Sequence, residues 1–154
     1  MCVYRTCATE GLPPYGQVWS EDDGRSWSEP ALMGEGLLSV QPSLVTLPGG
    51  AVALSGGRPD IFLWLNEDGS GRGWQGVNLR EHHNATCNAE DRIPDDPFPL
   101  EWTDRRTSSY TELLSLNDNE LLCIYDCVPN GWHAIPEDSR ETNSVWVVRI
   151  TLEQ

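Results

Sequence analysis

Ser20-Glu21-Asp22-Asp23-Gly24-Arg25-Ser26-Trp27 is the stretch on which the reading of this chain turns. It follows an alternating run over 15–19 and leads into a second run over 26–33. An acidic, glycine-containing segment between two such runs predicts a hairpin turn, with Gly24 free to take a positive φ. A short side chain such as Asp22 accepts hydrogen bonds from the N–H groups of its own turn. Trp27 then has an apolar face to lay across the hairpin and an indole N–H to tie it down.

Working outward, Asn66-Glu67-Asp68-Gly69-Ser70-Gly71-Arg72-Gly73-Trp74 has the same character, with a changed first position and one extra residue. Trp27 and Trp74 lie 47 residues apart. That spacing falls in the roughly 40–50-residue period of propeller blades. Around these turns, strands are expected at 2–7, 15–19 and 26–33, then at 42–47, 51–54, 61–65 and 74–79. Pro48-Gly49-Gly50 and Asn117-Asp118-Asn119 read as tight turns. A third unit runs through 110–116, 121–125 and 144–151. No segment reads as a helix, and 80–107 and 127–143 read as long loops. The expected fold is all-β, a partial β-propeller of about three blades (1–33, 37–79 and 108–154) forming one incomplete domain over 1–154. A self-contained β-sandwich is the alternative.

Composition fits this class. The 14 glycines, 11 prolines and 7 tryptophans in 154 residues suit a turn-rich β protein. The net charge of −14 argues against nucleic acid or an anionic membrane surface as partner. It does not exclude an anionic ligand held by arginines gathered in one pocket. The five cysteines follow no zinc or thioredoxin spacing, and their odd number fits free thiols or one or two bridges with a remainder. No stretch approaches the roughly 20 apolar residues of a membrane span. The first residues lack the basic start and apolar core of a signal peptide, so the compartment stays open.

Strand parity sorts the loops. In a four-stranded up-and-down meander, the turns from first to second and third to fourth strand share one face. The remaining connections share the other. Both acidic turns are third-to-fourth connections. Arg5 and Arg58 end second strands, Asp126 ends another, and Tyr110 begins a first strand, so all four are expected opposite the acidic turns. Each residue alone has an ordinary reading as a surface arginine, a strand cap or a turn acid. Their joint expected position gives them interest.

The spacing Ser-x-Asp-x-Gly-x-Ser-Trp at 20–27 is that of the Asp-box, or BNR repeat, and the chain resembles the C-terminal half of a sialidase (neuraminidase). Sialidases hold the substrate carboxylate with three arginines on different blades. Arg5, after Met1-Cys2-Val3-Tyr4, resembles the second of these, and Arg58, in Leu54-Ser55-Gly56-Gly57-Arg58, the third. Ser109-Tyr110-Thr111-Glu112-Leu113 is similar to the segment carrying the nucleophilic tyrosine. Leu121-Leu122-Cys123-Ile124-Tyr125-Asp126 is similar to the next segment, whose acid steadies the first arginine. Asp126 stands where the family has Glu, Thr111 stands for Ser, and the spacing around Arg58 also suits the second arginine.

The resemblance implies a retaining exo-glycosidase for terminal sialic acid or a similar acidic sugar. Arg5 and Arg58 would bind the carboxylate, Tyr110 would attack, and Asp126 would orient an arginine. Guanidinium groups give bidentate, permanently charged recognition of a carboxylate. A phenol attacks that anomeric centre without the like-charge repulsion a carboxylate nucleophile would meet, which sets sialidases apart from the two-carboxylate scheme. Nothing in the chain corresponds to the first arginine, the aspartate acid/base or the glutamate that activates the tyrosine. Either upstream blades of the same protein supply them or this branch lacks them. Without them a phenol, with its usual pKa of about 10, is a poor nucleophile, and the chain alone is expected to be inactive. The alternatives are a non-catalytic glycan-binding propeller and a hydrolase or lyase for another acidic sugar.

No metal or cofactor is called for. His82-His83 offers no i,i+4 ligand pair and is read as substrate-facing loop. Asn84-Ala85-Thr86 is a glycosylation sequon. Trp132-His133 is a candidate stacking wall for a sugar.

Overall fold

A computed structural model describes residues 1–7, 13–34, 36–57, 60–93, 110–127 and 144–153. Three antiparallel sheets carry the chain, each a simple meander. The first holds β1 (Cys2–Tyr4), β2 (Gly16–Val18) and β3 (Ala31–Leu32). The central sheet holds β4 (Ser43–Thr46), β5 (Val52–Gly57), β6 (Ile61–Asn66) and β7 (Gln75–Asn78). The third holds β8 (Thr111–Asn117), β9 (Glu120–Cys127) and β10 (Ser144–Thr151). The chain is therefore mostly β, and none of the three sheets is closed.

The central sheet is covered on both faces, which is why every residue of β5 is buried. Strand alternation divides its side chains. Leu54 and Trp64 face the first sheet, where they pack with Tyr15, Met33 and Leu37. Ala53, Ile61 and Leu63 face the third sheet and meet Leu113, Leu121, Cys123 and Tyr125. Buried hydroxyls add polar stitches to the second seam. Ser55 and Thr111 share a hydrogen bond of 2.8 Å, and the Ser43 hydroxyl donates to Glu112 at 2.6 Å while accepting the Leu113 N–H at 3.1 Å.

The first seam is closed by an approach only glycine permits. A Cβ at Gly56 would lie 2.6 Å from both the Ser39 Cβ and the Tyr15 hydroxyl oxygen. Gly57 next to it accepts from the Ser39 hydroxyl and from the Val40 N–H. The small residues Ser55-Gly56-Gly57 therefore continue β5 beyond the expected 51–54 and let a neighbouring sheet close on it.

The expectation of no helix is corrected. Leu79–Thr86 forms an α-helix, α1, and Ala89–Asp91 a 3₁₀ turn, within a segment read as loop. Asn78 caps α1 by accepting from the N–H groups of Arg80 and Glu81. The two buried positions of the helix, Leu79 and His83, are four apart. One of them is a histidine, so the apolar period was invisible to a hydrophobicity reading. The run expected over 26–33 is also shortened to the two residues of β3.

Candidate functional site

The strand registers give the molecule two ends. At one lie both acidic turns, Ser20–Trp27 between β2 and β3 and Asn66–Trp74 between β6 and β7. In each, the indole N–H donates to the carbonyl of the glycine three residues before it, Trp27 to Gly24 and Trp74 to Gly71, both at 3.1 Å. In each, a side-chain oxygen at the first position accepts that glycine's N–H, from Ser20 at 2.7 Å and from Asn66 at 2.8 Å. Asp22 accepts the Ser26 hydroxyl at 2.6 Å and the Ser26 N–H at 2.8 Å. Those bonds hold its carboxyl down at about 2.

The opposite end gathers the C-terminal ends of β1, β5 and β9 with the N-terminal ends of β4, β6, β8 and β10. Tyr110 lies there, directly ahead of β8, and is 47 % exposed. Its backbone N–H donates to the Asp126 carboxylate at 3.4 Å, so the third sheet brings these two residues together. The stitch from Thr111 to Ser55 fixes the backbone next to Tyr110 against the central sheet. Arg5 follows β1 at the same end and is exposed. It belongs to the first sheet, whose packing partner is the face of the central sheet turned away from Tyr110 and Asp126. Arg58 lies outside the described residues, as do Trp132 and His133.

Three features of this end were not anticipated from sequence. Tyr15 is fully buried under Gly56. Burial pushes its phenol up to about 12, with the Ser39 hydroxyl and the Arg5 guanidinium opposing the rise. Asp60, at φ 58°, lies just past Arg58 in the chain and anchors the β5–β6 connection. Its carboxylate accepts Arg80 Nε at 2.7 Å and Asn78 Nδ2 at 2.8 Å. A non-glycine residue held at positive φ is a strained position.

The third feature is His83, read above as a loop residue facing substrate and found buried on α1. Its Nε2 donates to the Asp91 carbonyl at 2.9 Å, which leaves Nδ1 to accept the Tyr125 hydroxyl at 2.9 Å. The Trp146 ring stands edge-on at 4.7 Å. Both ring nitrogens are thus used to dock α1 on the third sheet. Asn84 of the sequon is similarly engaged, donating to the Ile93 carbonyl at 2.7 Å and accepting the Ile93 N–H at 2.8 Å. Burial pushes the Tyr125 phenol and the Cys123 thiol each up to about 12. Cys123 therefore stays a protonated core thiol and offers no nucleophile. Cys2, Cys7, Cys87 and Cys123 are free thiols.

Compared with known proteins, the chain matches no family model, no curated protein and no solved structure. No helix among the described residues is long and apolar enough to cross a membrane.

Proposed function

We propose that this chain forms part of a sialidase-like β-propeller that binds terminal sialic acid, or a similar acidic sugar, at the end opposite its acidic turns. The observation that carries the proposal is the place of Tyr110 and Asp126 at that end, the Tyr110 backbone N–H donating to the Asp126 carboxylate at 3.4 Å, while both indole-tied turns lie at the other. The contact between β4 and β8, the first strands of consecutive meanders, also supports a fan of sheets about a common axis.

In this scheme Arg5 and Arg58 pair with the sugar carboxylate, and Tyr110 is the attacking phenol. Asp126 orients a guanidinium supplied by blades that complete the ring. Formation of the tyrosyl-sugar bond needs a base to take the phenol proton and an acid to protonate the leaving oxygen. This chain has no counterpart of either, so the 154 residues bind without turnover.

Two measurements test the proposal. Free sialic acid, titrated into the chain by NMR, should shift resonances near Arg5 and Tyr110, and Arg5→Ala should weaken that binding about tenfold or more. In the completed protein, Tyr110→Phe should abolish hydrolysis of an aryl sialoside and leave binding in place. Unchanged turnover in that variant removes the tyrosine from the chemistry. Absence of any binding to sialylated or other acidic sugars sinks the reading as a whole.

A further inference from the structure

The seam between the central and third sheets is filled at one end and open at the other. Towards Tyr110's end, α1 and the segment after it wedge into the seam, with Leu79, His83 and Ile93 seated against Leu63, Tyr125 and Trp146. Towards the acidic turns the seam opens into a cleft of about 580 Å³. The cleft has an apolar floor, made by Leu63, Leu65 and Val77 on one side and Ile150 and Leu152 on the other. Val77 is 51 % exposed, so its side chain is open to solvent at the mouth of the cleft. Three exposed carboxylates rim the cleft: Glu67 of the second turn, Asp118 of the β8–β9 turn, and Glu153 just after β10. No arginine or lysine is among its lining residues.

We propose that this cleft docks an extended segment of a partner protein in which apolar side chains alternate with lysine or arginine. Charge complementarity selects a cation, since every charged residue lining the cleft is acidic and the chain carries a net −14. The apolar floor selects side chains that insert rather than a bare polyamine. An extended backbone suits the flanks, because β7 and β10 are each the outermost described strand of their sheet and can be joined edge to edge. Alternate residues of such a segment fill the floor, while the long cationic side chains bend to the rim. This site lies at the opposite end from Tyr110 and takes the opposite charge, so it stands or falls separately from the sugar reading.

The test is fluorescence anisotropy of the full chain with a labelled peptide of alternating valine and lysine. The Val–Lys peptide should bind, and an equally charged Ser–Lys peptide and a Val–Glu peptide should not. The triple variant Glu67→Gln, Asp118→Asn, Glu153→Gln should weaken binding about tenfold, as three exposed ion pairs together allow. Val77→Ser, a second variant at an exposed position, should also weaken it without a change in salt dependence. Failure of the Val–Lys peptide to bind overturns the proposal. So does equal binding of the Ser–Lys peptide, which would mean that net charge alone attracts it. Binding unmoved by both the triple variant and Val77→Ser overturns it too.

Discussion

The two acidic turns solve one problem with different parts. Both tie the tryptophan to a glycine carbonyl at 3.1 Å, and both cap that glycine's N–H from the first position of the turn. In the first, a half-buried Ser20 hydroxyl does the capping and Asp22 gathers the rest, drawing in Ser26 and the Ser20 hydroxyl. In the second, Asn66 is 1 % exposed and works with both arms, its Oδ1 on Gly71 and its Nδ2 on the Arg72 carbonyl. Asp68 reaches chiefly to Ser70 two residues on, and also to Asn66. The indole tie and the first-position oxygen are thus the shared parts, and the carboxylate's reach is variable. A buried amide in one turn performs work that a half-buried acid performs in the other.

That contrast breaks most visibly at the first position. Asn66→Ala strands a buried N–H and a carbonyl, and should cost about 2–3 kcal/mol in chemical denaturation. Ser20→Ala should cost about 1 kcal/mol. Equal losses in the two variants would mean that burial does not separate the turns. The indole tie should give a matched effect in the two turns, with Trp27→Phe and Trp74→Phe each losing one hydrogen bond worth about 1 kcal/mol. A large inequality between them would show that one tryptophan acts mainly by packing.

The smallest effect is the dependence on acid. The Ser26 hydroxyl above all, then the Ser26 N–H and the Ser20 hydroxyl, hold Asp22 at about 2, below its ordinary 3.8. A lowered folded-state value means the bonds contribute fully above the ordinary value and are lost as pH falls through about 2. Asp68 is lowered as well, chiefly by the Ser70 hydroxyl. Asp22→Asn should therefore flatten the acid limb of a stability-versus-pH curve more than Asp68→Asn. The reverse order would contradict the division of labour between the turns.

Much of the β framework could be read in advance because its signals are local. An unbroken apolar run marks β6, alternation marks β10, and glycine and tryptophan at fixed offsets mark the acidic turns. What escaped depends on contacts between distant residues. Ser55-Gly56-Gly57 looked like the end of a strand, and only the approach of Tyr15 and Ser39 explains why such small residues continue β5. Helix α1 was hidden because half of its buried stripe is His83, whose burial requires Tyr125 and Asp91 as partners. At the candidate site, parity leads one to look for Tyr110 and Asp126 together. It says nothing of Asp60, whose bond to Arg80 spans twenty positions of sequence.

The aromatic residues give each seam its own optical signature. Trp64 sits between the first and central sheets, edge-on to Tyr15 at 6.1 Å and stacked on Phe62 at 5.5 Å. Trp146 sits in the other seam against an imidazole. Rings held this rigidly in asymmetric surroundings produce near-ultraviolet dichroism that vanishes when the packing loosens. Replacing one of the two tryptophans at a time would therefore let a melting experiment ask which pair of sheets parts first.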